Sequence, residues 1–115
     1  VVGTGNKVED FGVGFYTKYG DGGVDISPIA DLTKSDVRSL AKDLGVSDDI
    51  LMSPPTDGLW DDDRTDEQQL GLSYEDLEDA MSNENSIHRK KYLDIRKRNI
   101  HKMKAIPVCI IKDKN

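Results

Sequence analysis

Cysteine, aromatic residues and long apolar runs are all scarce in this sequence. Among its 115 residues there is a single cysteine, Cys109, and only 6% are aromatic. One cysteine cannot form an internal disulfide, and without a Cys or His cluster it makes no zinc-type site. No apolar run approaches the roughly 20 residues that a membrane-spanning helix requires. These absences exclude a disulfide-rich secreted domain and a membrane protein, and we expect a cytoplasmic protein.

The composition fits one folded unit. A chain with 36% hydrophobic and 33% charged residues is polar, but at this length it can still bury a modest core. We therefore expect residues 1–115 to form a single unit. Val1 and Val2 are typical of the end of a buried strand rather than of the start of a protein, so we also expect the chain to be a fragment.

The net charge of -6 hides a strong separation of acids from bases. Between residues 57 and 79 Arg64 is the only base, and between residues 89 and 104 Asp94 is the only acid. The basic segment Arg89–Arg98 is expected to be a solvated helix face. An alternative function is a noncatalytic interaction module that uses this helix to bind an acidic partner. Nucleic-acid binding is disfavoured by the acidic total and by the few aromatic residues.

The amino-terminal third predicts little regular structure. Val1-Val2 should end a strand, residues 3–7 a glycine turn, and residues 8–16 an irregular helix. Three glycines make residues 17–23 a loop, and residues 24–29 should be extended.

The clearest helix runs from Lys34 to about Leu44, where apolar residues recur at helical spacing. Thr33 and Asp36 form a capping box at its start, and Gly45 provides a left-handed stop. This signal combines a start, a periodic face and an end, so it predicts one amphipathic helix.

Three further segments follow. Ser47 begins a short helical turn that must end before Pro54. Residues 56–71 have no apolar period and predict a long loop, which in a compact unit is usually functional or disordered. Ser73 begins another helix, with a capping box and a face of Leu77, Ala80 and Met81. A last helix is predicted over residues 86–103 with a core-facing stripe of Leu93, Ile100 and Met103, followed by an extended apolar tail at 108–111.

Several motifs occur in a fixed order along the chain: Gly3–Glu9, Thr17–Gly23, Leu32–Lys34 and Pro54–Leu59. In order and spacing they resemble the NAD synthetase family, whose closing motif is similar to His101-Lys102. The resemblance covers nearly the whole chain, and several linked motifs are more specific than any one of them. Another ATP-pyrophosphate amide-forming enzyme is the nearest rival, and the second motif and His101-Lys102 separate the two.

The family resemblance implies a ligase that works in two steps. ATP adenylates the nicotinate carboxylate of deamido-NAD, pyrophosphate leaves, and ammonia attacks the mixed anhydride to give NAD and AMP. Free ammonia is favoured over a fused glutaminase as the nitrogen source. The resemblance also implies a homodimer with an α/β fold, a doubly wound Rossmann-like sheet of the adenine nucleotide alpha hydrolase-like type. This chain would contribute mostly helices and one or two short strands.

The resemblance also assigns residues to the nucleotide and the metal. Glu9 resembles the family's metal-binding glutamate, and a lone carboxylate suits Mg²⁺ that is shared with substrate phosphates. Thr4, Lys34 and Thr56 match positions that contact ATP. Without the motifs around them, a solvated acid, an exposed lysine and ordinary turn residues would be the simpler interpretations.

The second substrate is assigned in the same way. Lys18 and Asp25 match family contacts to deamido-NAD, one as a cation and the other as an acceptor for ribose hydroxyls or a ring substituent. His101 and Lys102 match the pair that closes over the same ligand.

One family feature is missing. The Ser-Gly-Gly-x-Asp-Ser loop that grips ATP pyrophosphate does not occur, and the echo of it at residues 22–27 belongs to a different motif. The chain alone is therefore expected to be inactive. Residues 56–71 resemble the family's mobile loop, which orders over the active site when nucleotides bind. Trp60 in this loop either covers the ligand or anchors the loop on the protein body.

Overall fold

The computed structural model describes residues 1–112. In this part of the chain the regular structure consists of five α-helices, one π-helix and one 3₁₀-helix. In chain order these are the π-helix Val8–Val13, α1 (Lys34–Asp43), α2 (Asp48–Leu51), α3 (Asp66–Leu70), α4 (Tyr74–Ser82), α5 (Arg89–Asn99) and the 3₁₀-helix Ile100–Met103. None of the helices among these residues is long and apolar enough to cross a membrane.

The extended segments pair through one parallel bridge, between Val2 and Ile26. The Gly3 N–H donates to the Ile26 carbonyl at 2.7 Å, and the Asp25 N–H donates to the Val1 carbonyl at 2.9 Å. Within residues 1–112 there is no longer ladder. The prediction of a mostly helical chain with one or two short strands is confirmed, and parallel pairing is what a doubly wound α/β sheet uses.

The predicted irregular helix is a π-helix over Val8–Val13. The side-chain oxygen of Asn6 accepts from the backbone N–H groups of Val8 at 2.9 Å and Glu9 at 3.2 Å, which fixes the start of the helix. Because a π turn joins residues five apart, Val8 and Val13 fall on the same side and both are fully buried. Gly14 ends the helix in the left-handed region, with φ of 69°.

The core lies where the π-helix, α4 and α5 meet, since these three elements contact one another. Its buried side chains come from all three elements and from the residue before the N-cap of α4. They are Val8, Val13, Leu72, Tyr74, Leu77, Ala80, Tyr92 and Ile95. The π-helix is therefore held in place by the carboxyl-terminal half of the described chain.

The two capping boxes predicted for α1 and α4 are both present. Thr33 and Asp36 bond reciprocally at the start of α1, and Ser73 and Asp76 do so at the start of α4. Gly45 adopts φ of 77° just after α1, as its predicted role as a stop requires. These local signals located both helix starts because each depends on residues only three apart.

The prediction of an unbroken loop over 56–71 is wrong, because it contains α3. Thr65 and Gln68 form a third capping box, and Gly71 ends the helix at φ of 70°. The helix has only five residues and no apolar period, so hydrophobic spacing alone did not reveal it. The loop proper runs from residue 56 to residue 65.

The predicted core stripe of the last helix is also wrong. Leu93 is 43% exposed, whereas Tyr92 and Ile95 are buried. Regular α-helix stops at Asn99, and the residues that continue the predicted stripe belong to the 3₁₀-helix, whose tighter turn breaks the spacing on which the stripe depends. They are Ile100 and Met103, of which neither is fully buried.

Other apolar residues lie on the surface of the described chain. In α1, Leu40 is partly exposed, and Leu44 at its end is largely exposed, although the predicted face is present. The tail at 108–111 is extended and exposed, and it docks on nothing within residues 1–112.

Three basic residues of α5 donate to backbone carbonyls at the ends of other helices. Arg89 reaches the last turn of α4, Lys91 reaches the residue after α3, and Arg96 reaches the last turn of the π-helix. Carbonyls at a helix end lack partners within the helix and carry partial negative charge, so a cation there is favourable. The prediction that Arg89–Arg98 is only a solvated face is wrong for these three side chains. The accepting carbonyls are those of Ala80 and Met81, Gly71, and Phe11 and Gly12.

Replacing Leu77 by alanine tests where the core lies. Leu77 is fully buried, so Leu77→Ala should lower the free energy of unfolding by about 2–4 kcal/mol in a urea titration. Leu93→Ala is the matched control, because its side chain is largely exposed and should cost less than about 1 kcal/mol. Equal losses from the two variants would contradict the arrangement of α4 and α5 described above.

Candidate functional site

A first cavity, of about 510 Å³, lies beside the glycine-rich segments near the amino end. Three of the residues assigned to deamido-NAD line it, namely Lys18, Asp25 and Lys102. The fourth, His101, lies in the 3₁₀-helix with an exposed side chain.

A second cavity, of about 620 Å³, adjoins the first and shares Tyr16, Asp21 and Lys102 with it. Glu9, assigned to the metal, and Thr4 and Thr56, assigned to ATP, line this second cavity. Six of the eight predicted ligand residues therefore line two neighbouring cavities, and His101 and Lys34 line neither.

The Glu9 carboxylate is held on both of its oxygens. The Asn6 N–H donates to Oε2 at 3.1 Å, and the Tyr74 hydroxyl donates to Oε1 at 2.6 Å. The Lys34 ammonium lies 3.6 Å from the same Oε1. A carboxylate with so many partners has few rotamers open to it, so its direction toward the cavity is fixed by the fold.

Lys34 contacts the second cavity's residues through its ion pair with Glu9. Its ammonium lies 4.9 Å from the centre of the Tyr74 ring and forms a cation–π contact with it. Its side chain does not line either cavity, but a smaller one of about 220 Å³ between α1 and α2. Of the three residues assigned to ATP, Lys34 is the one that the structure places beside the metal-assigned carboxylate instead of in the cavity.

Tyr74 also contacts a second carboxylate. The Asp66 Oδ2 lies 3.0 Å from the Tyr74 hydroxyl, and Asp66 is a buried residue, only 7% exposed. The other oxygen of Asp66 is buried without a hydrogen-bond partner in the described part of the chain. A phenol carries one proton, so it donates to one carboxylate at a time, and the shorter distance makes Glu9 its principal acceptor.

Burial changes the pKa of both partners of this contact. Burial raises the pKa of Asp66, and the charge of Glu9 raises it further, against the lowering effect of the hydrogen bond from Tyr74. Burial and then the hydrogen bond to Glu9 raise the pKa of the Tyr74 phenol, which therefore stays protonated. Both shifts favour the uncharged form of the buried group.

Two lysines tie the ends of the described chain together. The Lys18 ammonium donates to the carbonyls of His101 at 3.0 Å and Lys104 at 2.9 Å. The Lys102 ammonium donates to the carbonyls of Gly14 at 2.9 Å and Tyr16 at 2.7 Å. We call these four reciprocal bonds the lysine clasp. Because an ammonium has three donors, each lysine keeps one N–H for the cavities.

The loop at residues 56–65 is closed by bonds across its base. The Thr56 hydroxyl donates to the Arg64 carbonyl at 3.0 Å, and the Asp66 N–H donates to the Pro55 carbonyl at 2.9 Å. Within the loop the Arg64 guanidinium bonds both oxygens of Asp62 and lies 4.2 Å from the Trp60 ring centre. Trp60 therefore packs on its own loop.

Three polar residues of the site were not singled out by sequence reasoning, namely Asn6, Asp66 and Tyr74. Asn6 lies within the first motif but was not given a role, although a buried asparagine before a helix is a common N-terminal signal. Asp66 and Tyr74 have no local signal. Tyr74 contacts Glu9, 65 positions away in sequence, only in the folded chain, and Asp66 joins the site through Tyr74.

The donor set around Glu9 fits a Mg²⁺ ion that is shared with phosphates. Mg²⁺ is usually held by one or two carboxylates and completes its shell with waters and substrate oxygens. Among residues 1–112 no three Asp, Glu, His or Cys side chains converge as a complete protein cage. The Glu9 side chain is 16% exposed and lines the cavity, so one oxygen ligand is what this part of the chain offers.

Replacing Asp66 by asparagine tests its protonation. The pKa of Asp66 is raised above 3.8 in the folded chain, so its contribution to stability is fully present below that pH and is lost as the pH rises through the higher folded pKa. Asparagine cannot ionise, so the stability of Asp66→Asn relative to the native chain should increase from about pH 4 to pH 7. Chemical denaturation across this range measures it, with the exposed Asp63→Asn as control. A difference that is constant or falls with pH would contradict the prediction.

Comparison with known proteins identifies the family. A family model described as NAD synthase matches residues 1–113. The chain is 52% identical over 81 residues to the NH3-dependent NAD+ synthetase of Methanococcoides burtonii, a match that covers 70% of this chain and 30% of that protein. It is 40% identical over 120 residues to the NH3-dependent NAD+ synthetase of Thermoplasma volcanium, covering 98% of this chain and 48% of that protein.

A solved structure agrees with these relatives. The NMN synthetase of Francisella tularensis superimposes with a TM-score of 0.84 at 36% identity, covering 96% of this chain and 47% of that one. The chain thus spans less than half the length of each of these relatives. The family model matches almost the whole sequence, and the chain belongs to the NAD synthase family.

Proposed function

We propose that this chain forms part of an ATP-dependent ligase that amidates deamido-NAD with ammonia, giving NAD, AMP and pyrophosphate. The proposal rests first on the family, since the matched relatives are named NH3-dependent NAD+ synthetases. The observation that carries it is the pair of adjoining cavities. Lys18, Asp25 and Lys102, assigned to deamido-NAD, line one cavity, and Thr4, Thr56 and Glu9, assigned to ATP and the metal, line the other, which Lys102 also lines.

The reaction joins the two ligands in sequence. An oxygen of the nicotinate carboxylate attacks the α-phosphorus of ATP, an oxygen–phosphorus bond forms, and the bond to pyrophosphate breaks. Ammonia then attacks the carbonyl carbon of this acyl-adenylate, the bond to AMP breaks, and the nitrogen loses a proton to give the amide. Two adjoining cavities suit such chemistry, because it needs two nucleotides held in line.

On the ATP side, Thr4 and Thr56 would donate hydroxyl groups to phosphate or ribose oxygens from the wall of the second cavity. Glu9 would hold Mg²⁺, which when bound would neutralise charge on the phosphates and on the departing pyrophosphate. Lys34 would lie behind this carboxylate and balance its charge, since its ammonium contacts Glu9 and the Tyr74 ring.

On the deamido-NAD side, the lysine clasp would do two things. It fixes the 3₁₀-helix against the segment after the π-helix, and it leaves one N–H on Lys18 and one on Lys102 to meet a phosphate or carboxylate. Asp25 would accept from a ribose hydroxyl or a ring substituent, and His101 would close over the ligand from the exposed 3₁₀-helix.

The loop at residues 56–65 would order over the second cavity when nucleotides bind. Thr56, Asp57 and Leu59 line that cavity although each is exposed, and only Arg64 and Thr65 at the end of the loop are half-buried. Gly58 adopts φ of 66°, a conformation that suits a pivot. We further propose that the intact enzyme is a homodimer and that this chain alone forms no NAD.

Two other functions are less well supported. The interaction module would need a free basic helix, but Arg89, Lys91 and Arg96 are bonded to backbone carbonyls. The solved relative is named for a mononucleotide, NMN, so amidation of nicotinic acid mononucleotide is the nearer alternative. We favour the dinucleotide because Lys18 and Lys102 both line the first cavity and would meet its two phosphates.

A chimeric enzyme tests the function. In it, this chain replaces the matching segment of the Thermoplasma volcanium synthetase, and NAD formation is measured with ATP, Mg²⁺, ammonium and either deamido-NAD or nicotinic acid mononucleotide. The chimera should amidate deamido-NAD preferentially, and Glu9→Ala should lower kcat by about a hundredfold or more, as loss of a group that stabilises transition-state charge does.

The exposed Glu84→Ala is the control and should match the unmodified chimera. The isolated chain should form no NAD under the same conditions. A folded chimera without ligase activity on either substrate would overturn the proposed function. Preference for the mononucleotide would keep the ligase chemistry but reassign the substrate.

A further inference from the structure

The part of the site with no assigned role is the contact of Tyr74 with its two carboxylates. Tyr74 is 1% exposed, so its hydroxyl cannot exchange these partners for water. The residue begins α4, within the core, and its position is fixed by neighbours on the π-helix and α5. Glu9 lies on the π-helix and Asp66 begins α3, so one hydroxyl joins two segments that are otherwise remote in sequence.

Asp66, the first residue of α3, directly follows the loop at residues 56–65. Its N–H donates to the Pro55 carbonyl, and the residue before it, Thr65, caps α3. The bond from Asp66 to Tyr74 therefore anchors one end of the loop at residues 56–65, while Thr56 at the other end bonds to the Arg64 carbonyl. A movement of the loop that displaces Asp66 would break a contact to the same hydroxyl that orients Glu9.

We propose that Tyr74 is a positioning residue, whose hydroxyl holds the Glu9 carboxylate toward the second cavity and couples it, through Asp66, to the base of the loop at residues 56–65. The inference rests on the proposed function, because it takes Glu9 to hold the metal. Tyr74 would not touch a substrate. It would orient the Glu9 carboxylate before the ion binds. Through Asp66 it would also link that orientation to the position of the loop.

Substitution of Tyr74 by phenylalanine removes only the hydroxyl. In the chimera, Tyr74→Phe should raise the Mg²⁺ concentration for half-maximal rate by about tenfold or more, because a buried carboxylate loses its shortest hydrogen bond. The rate at saturating Mg²⁺ should change far less, since the substrates are bound by other residues. Tyr92→Phe is the matched control: Tyr92 is a buried tyrosine of the same core whose hydroxyl is not part of this contact.

Trypsin gives a readout that does not depend on activity. Arg64 is the only base between residues 57 and 79, so cleavage after it reports opening of the loop in the chain itself. Tyr74→Phe should speed cleavage at Arg64 several-fold, and Tyr92→Phe should not. Asp66→Ala should speed the same cleavage but shift the Mg²⁺ requirement less, because Glu9 still receives the Tyr74 hydroxyl.

The outcomes separate the two proposals. If Tyr74→Phe equals Tyr92→Phe in both measurements, with both variants folded by circular dichroism, the positioning role is overturned. A change in cleavage without a change in Mg²⁺ requirement would overturn the link to Glu9. If the unmodified chimera forms no NAD, the proposed function fails, while the trypsin comparison still decides whether the hydroxyl holds the loop.

Discussion

The Tyr74 hydroxyl offers one proton to two carboxylates, those of the buried Asp66 and the half-buried Glu9, and the arrangement of the site depends on this contact. The Tyr74 hydroxyl cannot donate to Glu9 and to a second carboxylate at the same time. The uncharged, protonated form of Asp66 is therefore favoured beside it. Burial raises the pKa of Asp66 in the direction that relieves this conflict. The π-helix, α3 and α4 meet at this hydroxyl, and the Tyr74 N–H donates to Glu67 as a further bond between α4 and α3.

The separation of charge along the sequence has a structural use. The acidic stretch supplies caps and helix starts, including those at Thr65 and Ser73, where negative charge is favourable. The basic stretch supplies donors for carbonyls at the opposite ends of helices, through Arg89, Lys91 and Arg96. The helix α5 thus supplies hydrogen-bond donors to the ends of three neighbouring helices. These bonds help to stabilise short helices in a chain with few apolar residues.

Sequence signals located what is encoded over three or four residues and missed what is encoded by distance. Capping boxes predicted the starts of α1 and α4. The family motifs assigned Thr4 and Thr56 to ATP and Glu9 to the metal, and these three residues line one cavity in the structure. Hydrophobic spacing missed α3, which is too short to have a period, and it placed Leu93 in the core, where the structure has Tyr92 and Ile95. The contact of Tyr74 with Glu9 could not be predicted, since the two residues are 65 positions apart.

The lysine clasp has a consequence for how the protein is made. Its bonds join residues 83 to 88 positions apart, so the segment after the π-helix has no clasp partner until residues 101–104 have left the ribosome. Contacts of such high sequence separation form late, because the intervening chain must first give up its conformational freedom. During synthesis the cavity lined by Lys18 and Lys102 therefore lacks part of its wall until the 3₁₀-helix has emerged.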